Sequence, residues 1–354
     1  MRQFKRIGVL TSGGDAPGMN AAVRGVVRSA IAAGVEVLGI YYGYSGLIRG
    51  DIRPLSLRDV SNVINKGGTL LYSDRCPEFT TLEGQKTALA TCEKYGIDGI
   101  VAIGGDGTFR GASALSALGV PTIGIPGTID NDITSTDYTI GFDTAMNTVI
   151  DVVDKLRDTG ESHARCNVVE VMGRGAGDIA LQTAIASGAT AAIIAEFPTD
   201  VDALLQKMEA SRALGKRNFI IIVSEAMGPD FGPELNKKIN DIAQIDSRFV
   251  RVGHIVRGGN PSLADRVRAS RMGVFAVKKL LEGRSDLVIC ERRGHLVATD
   301  IRYALVLDRL YKGKATEADL EGFTPGQLER MHAHAKQRAD YMKELHDIAE
   351  QISL

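Results

Sequence analysis

Two short apolar runs in this chain each end in glycine followed by carboxylates. Val101-Ala102-Ile103 leads into Gly104-Gly105-Asp106-Gly107-Thr108, and Thr122-Ile123-Gly124-Ile125-Pro126 leads into Gly127-Thr128-Ile129-Asp130-Asn131-Asp132. In the first loop, Gly104, Gly105 and Gly107 are expected to reach φ > 0 and let backbone approach a ligand. Thr108 opens a helix whose free N–H groups favour an anion, and phosphate suits that position. Asp106 would repel phosphate unless a divalent cation lay between them, a conflict that a magnesium nucleotide resolves. In the second loop one carboxylate can serve as general base towards a hydroxyl, worth about 10²–10⁴-fold in rate, and the other can lie near the metal. Either loop alone can be a plain turn or a solvated loop; together, each after a strand, they point to phosphoryl transfer.

Such loops need parallel strands that end at one crevice. A third turn of this kind, Ser12-Gly-Gly-Asp-Ala-Pro-Gly-Met-Asn20, follows a strand at 7–11 and precedes a helix at 21–33. The chain has no G-x-x-x-x-G-K-[ST], so ATP would not be held in the Walker manner, and Gly105-Asp-Gly-Thr-Phe-Arg110 does not complete G-x-G-x-x-G. Further strands are expected at 35–42, 167–172, 192–196, 219–224 and 250–256. Helices are expected at 56–66 (capped by Ser56), 85–94, 139–159, 175–187, 200–214 and 234–244, and 286–290 is expected to close a second sheet. Tyr44, in a loop at 43–46, could stack on a base, although a lone loop tyrosine more often serves packing, and Arg75, a candidate phosphate ligand, lies in an irregular loop at 67–78. Arg248, Arg251, His254 and Arg257 fall within ten residues, a spacing that suits a phosphate ester, and Glu225 follows a strand where it could accept sugar hydroxyls. This alternation predicts an α/β protein of two doubly wound, three-layer lobes with mainly parallel sheets, the active site in the cleft between them, and a C-terminal helix.

At 354 residues the chain suits about two such lobes. A formal net charge of −1 gives no global field for nucleic acid or a membrane surface, so an anion site must be a local arginine cluster. Cys76, Cys92, Cys166 and Cys290 have no metal-ligand spacing and read as reduced thiols. No apolar run approaches the roughly 18 residues of a membrane span, and residues 1–6 run directly into a strand, so a cytoplasmic protein is expected.

Five motifs carry a resemblance: Ser12–Asn20, Gly104-Gly-Asp-Gly107, Pro126-Gly-Thr-Ile-Asp-Asn-Asp132, Val169-Glu-Val-Met-Gly-Arg174 and Gly253-His-Ile-Val-Arg-Gly-Gly259. In this order, over about residues 5–310, they resemble the bacterial ATP-dependent 6-phosphofructokinase family. The Gly-Gly-Asp-Gly-Thr piece alone is also similar to lipid kinases and NAD kinase. The resemblance implies transfer of the γ-phosphoryl of MgATP to the 1-hydroxyl of fructose 6-phosphate, with Asp130 as base and Asp106 and Asp132 at Mg²⁺. It places Gly13, Arg75, Cys76, Gly105, Asp106, Gly107 and Thr108 along ATP. Thr128, Arg75 and Arg174 would act on the transferring group, with Ile129 beside it. The sugar phosphate would meet Met172, Gly173, Arg174, Glu225, His254, Ile255, Val256 and Arg257, and Arg165 and Arg248 would come from a neighbouring subunit of a homotetramer.

By the same resemblance, residues 1–138 and about 256–305 form a larger ATP-binding lobe, 139–255 a smaller sugar-phosphate lobe, and 306–354 a helical extension. An ADP-type effector would meet Arg24, Arg28, Arg157, Lys216 and Arg217, although Asp51 stands where that pattern has an arginine. Cys76 stands where phenylalanine is usual. Pyrophosphate-using relatives carry aspartate at position 107 and lysine at 127. Both are glycine here, which favours ATP over the pyrophosphate-dependent alternative. A non-catalytic phosphosugar or nucleotide sensor of the same fold is the other alternative, and it should lack one of the three carboxylates. In the tail, Met342, Leu345, Ile348 and Ile352 repeat at helical spacing.

Overall fold

Among residues 4–353, which the computed structural model describes, eleven strands form. They are β1 (Arg6–Ser12), β2 (Glu36–Ile40), β3 (Ile52–Leu55), β4 (Gly99–Gly104), β5 (Thr122–Pro126), β6 (Cys166–Val171), β7 (Ala191–Ile193), β8 (Phe219–Ser224), β9 (Ser247–Arg251), β10 (Leu287–Arg292) and β11 (His295–Asp300). They make a seven-stranded sheet, order β11-β10-β5-β4-β1-β2-β3, and a four-stranded sheet, order β7-β8-β6-β9. Only the β2–β3 and β10–β11 pairs are antiparallel. Every residue of β4, β5, β6 and β8 is buried, as near-continuous Val/Ile runs require when both faces of a parallel sheet are covered. No helix among the described residues is long and apolar enough to cross a membrane.

The chain divides into two compact units. The first comprises the described residues up to Ile129, then Ile133–Thr144 and Arg257–Lys336; the second comprises Asp130–Asp132, Ala145–Val256 and the stretch from Gln337 onward. In the first unit the helices Met19–Ala32 and Leu263–Leu281 approach backbone to backbone. A Cβ on Gly25 would lie 2.8 Å from the Ser270 carbonyl oxygen, and one on Gly273 2.5 Å from that of Ala22, so only glycine fits. Asp265, buried in the first turn of the second of these helices, accepts from Tyr138 Oη (2.6 Å), Gly141 N (2.7 Å) and Thr144 N (2.9 Å), and so fixes the segment that follows the Asp130 loop.

Three sequence expectations are corrected here. The span 56–66 is a series of turns: Ser56 N–H and Oγ–H donate to Asp59 at 2.7 and 2.6 Å, as at a helix start, but Asn62 at φ 57° turns the chain out of the helical path. β10 pairs with β5 in the first sheet and does not close the second. The strand expected at 250–256 stops at Arg251, and Gly253 at φ 58° turns the chain into a 3₁₀ helix, Gly253–Arg257.

All four cysteines are free. Burial pushes the Cys92 and Cys166 thiols up to about 12, so neither is a thiolate at neutral pH. The tail forms the helix Pro325–Ile352. Within the first unit its Met331 packs with Val306 and Leu307. Within the second its Met342 and Ala349 are buried, whereas Ile352 is exposed and off the apolar stripe.

Candidate active site

In the first unit three parallel strands end in register. Ser12 of β1 is opposite Gly104 of β4, which is opposite Pro126 of β5. The loops starting at Gly13, Gly105 and Gly127 therefore leave the sheet side by side at its carboxyl edge. Thr108 Oγ1 ties the first two together by donating to the Ser12 carbonyl at 3.1 Å. The 67–78 loop is fastened to the same edge: Ser73 Oγ donates to the Gly13 carbonyl, and Thr11 Oγ1 to that of Tyr72 at 2.7 Å. These bonds bring exposed Arg75 to the end of β1.

The glycines work differently from the expectation. None of Gly104, Gly105 and Gly107 has positive φ; Gly13, at 84°, does. Gly104 is needed for packing, since a Cβ there would meet the Ser12 carbonyl oxygen at 2.3 Å. A Cβ on Gly107 would meet nothing within 4 Å beyond its own helix, and one on Gly105 only Thr128, at 4.0 Å, which leaves open space at the N-terminus of the helix Asp106–Ala117. That helix starts at Asp106, two residues before Thr108, and Asp106 pairs with Arg110 one turn on at 2.6 Å. Arg110 was missed, although its i,i+4 spacing from Asp106 could have found it.

Of the two readings of Tyr44, the structure bears out packing. The residue is buried in a short helix, Gly43–Arg49, its ring stacked on Phe79, its hydroxyl donating to the Thr108 carbonyl at 2.6 Å, and burial pushes its pKa up. Cys76 is half-buried against the same core. The Thr128 carbonyl accepts from Thr139 Oγ1 at 2.6 Å, and Ile129 is wholly buried. Arg257 lies over the Gly13–Asp15 turn, its Nη1 donating to the Asp15 carbonyl at 3.3 Å.

In the second unit β6 and β8 end in register, Val171 opposite Ser224. Half-buried Met172, buried Gly173 and exposed Arg174 follow β6; Glu225 follows β8. Glu225 Oε1 accepts from the backbone N–H of both Gly173 and Arg174. Arg165 and Arg248 converge on one carboxylate, Asp246, at 2.5 and 2.6 Å, and the hydrogen bond from Arg165 is the first cause holding Asp246 below the usual carboxylate range. Asp246 was also missed; its place two residues before Arg248 was the available signal. Arg251 is already engaged, by Glu170 at 2.5 Å and the Pro229 carbonyl at 2.8 Å, so it leaves the phosphate cluster that its spacing suggested. His254 and Ile255 are exposed and Val256 is buried. Asp130 and Asn131 are buried, with Asp132 partly exposed.

The phosphofructokinase family model matches residues 6–280, more than half the chain. The chain belongs to the phosphofructokinase family. It is similar to the ATP-dependent 6-phosphofructokinase of Halalkalibacterium halodurans, 53% identical over 85% of this chain and 94% of that one. It is 54% identical to that of Bacillus pumilus, over 84% of this chain and 93% of the other. Among solved structures, phosphofructokinase from Saccharomyces cerevisiae matches with a TM-score of 0.82 and 34% identity, over 87% of this chain and 46% of the yeast one.

Two further groups of expected residues have the following surroundings. Of the residues with which the resemblance would contact an effector, Arg24 and Arg28 lie on the helix Met19–Ala32 of the first unit. Arg157, Lys216 and Arg217 lie in the second. Arg157 is spent on the Ser187 carbonyl, Arg217 is 3.8 Å from Glu161, and burial, then Lys207 and Arg157, press the pKa of Lys216 down. Asp51 pairs with Arg49 at 2.9 Å. For magnesium, no cluster of three or more His, Cys, Asp or Glu side chains occurs among the described residues. A Mg²⁺ site at a nucleotide needs none, because that ion takes one or two carboxylates and completes its shell with phosphate oxygens and water. Asp106, partly exposed beside the open backbone at Gly105 and Gly107, fits that donor set.

Proposed function

We propose that this chain is an ATP-dependent 6-phosphofructokinase: it moves the γ-phosphoryl of ATP to the 1-hydroxyl of fructose 6-phosphate, giving fructose 1,6-bisphosphate and ADP. The observation that carries the reading is the alignment of Ser12, Gly104 and Pro126 at one sheet edge, which sets three glycine-rich loops beside one another. Backbone N–H groups at the start of the helix Asp106–Ala117 meet the nucleotide phosphates, and Gly107 admits them without a clash. Asp130 accepts the proton of the 1-hydroxyl as its oxygen bonds to the γ-phosphorus and the bond to the ADP oxygen breaks. Arg75 and Arg174 balance charge on the phosphoryl oxygens, and Thr128 orients them. Asp106 and Asp132 would hold Mg²⁺, which would supply positive charge against the phosphates. Arg165, Arg248, His254 and Arg257 bind the 6-phosphate, with Met172, Gly173 and Glu225 against the sugar. Arg165 and Arg248 serve a neighbouring subunit of a homotetramer.

The test is phosphorylation of fructose 6-phosphate with Mg²⁺ and either ATP or pyrophosphate, with Asp130→Ala as control. Turnover with ATP alone, lost in the variant, is expected; turnover with pyrophosphate would overturn the donor, and turnover with neither the whole reading. Light scattering at assay concentrations reads the tetramer.

A further inference from the structure

The second half of the long C-terminal helix lies in the second unit, beyond residue 280 where the family model ends, and it reaches the Asp130 loop from that unit's own side. Arg338 Nη2 donates to Asp178 Oδ1 at 2.5 Å. The same carboxylate oxygen accepts from Asn131 Nδ2 at 3.2 Å, and Arg338 Nη2 also lies 3.4 Å from the Asn131 carbonyl oxygen. Asn131 stands between Asp130 and Asp132 and is held at φ 51°, in the left-handed region. Its side chain and its main chain are thus both gripped by one ion pair. That pair is deep: Asp178 is 1% exposed and the Arg338 side chain 15%. Asp178 opens the helix Asp178–Ser187, so the acceptor sits on a rigid element. The Arg338 helix is in turn anchored by Phe197 against His346, with ring centroids 4.5 Å apart, and by Lys207 donating to Ser353 at 2.5 Å.

We infer that Arg338 is a positioning residue for phosphoryl transfer: through Asp178 it fixes the backbone of Asn131, and hence the directions in which Asp130 and Asp132 project. The inference rests on the function proposed above. Without Arg338 the buried Asp178 carboxylate loses its countercharge, and Asn131 loses the group beside its carbonyl. Small displacements of a base are costly in rate and much less so in binding.

The experiment compares the full chain with Arg338→Met, Arg338→Lys, Arg338→Met combined with Asp178→Asn, and Met342→Ala as a packing control on the same helix. Arg338→Met is expected to lower kcat about tenfold and leave both Michaelis constants within about twofold, the signature of misplacement. The double variant removes both charges but keeps an oxygen for Asn131, and should return kcat to within about threefold of the parent. Met342→Ala should lower the unfolding midpoint while kcat holds. Hydrogen exchange across residues 127–136 should quicken in Arg338→Met and not in Met342→Ala; this readout needs no substrate, so it separates failure of the inference from failure of the functional reading. Unchanged kcat and exchange in Arg338→Met would overturn the proposal, as would loss of kcat in Met342→Ala in the same proportion to its lost stability. Should Arg338→Met not fold, Arg338→Lys decides: slower turnover at unchanged Michaelis constants supports the role, and parental turnover sinks it.

Discussion

Glu225 Oε1 accepts two backbone N–H groups at once, from Gly173 at 3.1 Å and from Arg174 at 2.6 Å. Arg174 sits at φ 58°, a conformation side chains seldom adopt, and these charge-assisted bonds hold it there. Glu225→Ala should therefore raise the Michaelis constant for fructose 6-phosphate about tenfold and lower kcat as well, the equivalent of one lost charged hydrogen bond. Glu225→Gln keeps an oxygen acceptor and should stay closer to the parent. Steady-state kinetics with the sugar phosphate varied reads both.

A Cβ on Gly107 would meet no packed neighbour within 4 Å, so Gly107→Asp should fold normally. It sets a second carboxylate beside Asp106, where the proposed function puts the nucleotide phosphates, and kcat/KM for ATP should fall about 100-fold. Gly127→Lys is different in kind: its Cβ would press on Ile103 and Met19, both at 3.1 Å, and thermal unfolding should record a loss of stability besides any change of donor.

Asp246 holds Arg165 and Arg248 together. Asp246→Ala should raise the Michaelis constant for fructose 6-phosphate about fivefold at unchanged kcat, because two mobile guanidinium groups must then be ordered by the phosphate. The pH dependence has a definite sign. With its folded pKa depressed, the Asp246 carboxylate contributes stability that is present above the ordinary carboxylate range and lost as pH falls through the folded value. The Michaelis constant should therefore show no inflection from Asp246 between neutral pH and the ordinary carboxylate range.

Tyr44→Phe removes the hydroxyl that donates to the Thr108 carbonyl. The expected loss is about 1 kcal/mol in denaturant unfolding, with the Michaelis constant for ATP unchanged. A weakened ATP interaction would mean that the ring reaches the base after all.

The fold was legible where hydrophobic runs are long and end in glycine. β1, β4, β5, β6 and β8 announce themselves because a strand covered on both faces must be apolar throughout. Local pattern failed where a single residue takes a left-handed turn, as Asn62 does at φ 57°, and where partners are far apart in sequence, as β10 and β5 are. The arginines divide in the same way. Their spacing marked Arg248 and Arg251 alike, but only tertiary structure shows that Glu170 already occupies Arg251. Nothing in the spacing of the tail distinguished Arg338 from the charges around it, because its meaning depends on Asp178.

The first unit is assembled from separated stretches of chain, and residue 287 pairs with residue 123. On a ribosome the edge of β5 is therefore made long before the strand that covers it, with the whole of the four-stranded sheet synthesised in between. Folding of this unit is a late, non-local closure, limited by search rather than by helix formation. A nascent or prematurely terminated chain ending before β10 would present β5 as an unpaired hydrophobic edge, the kind of surface that recruits a second copy or a chaperone.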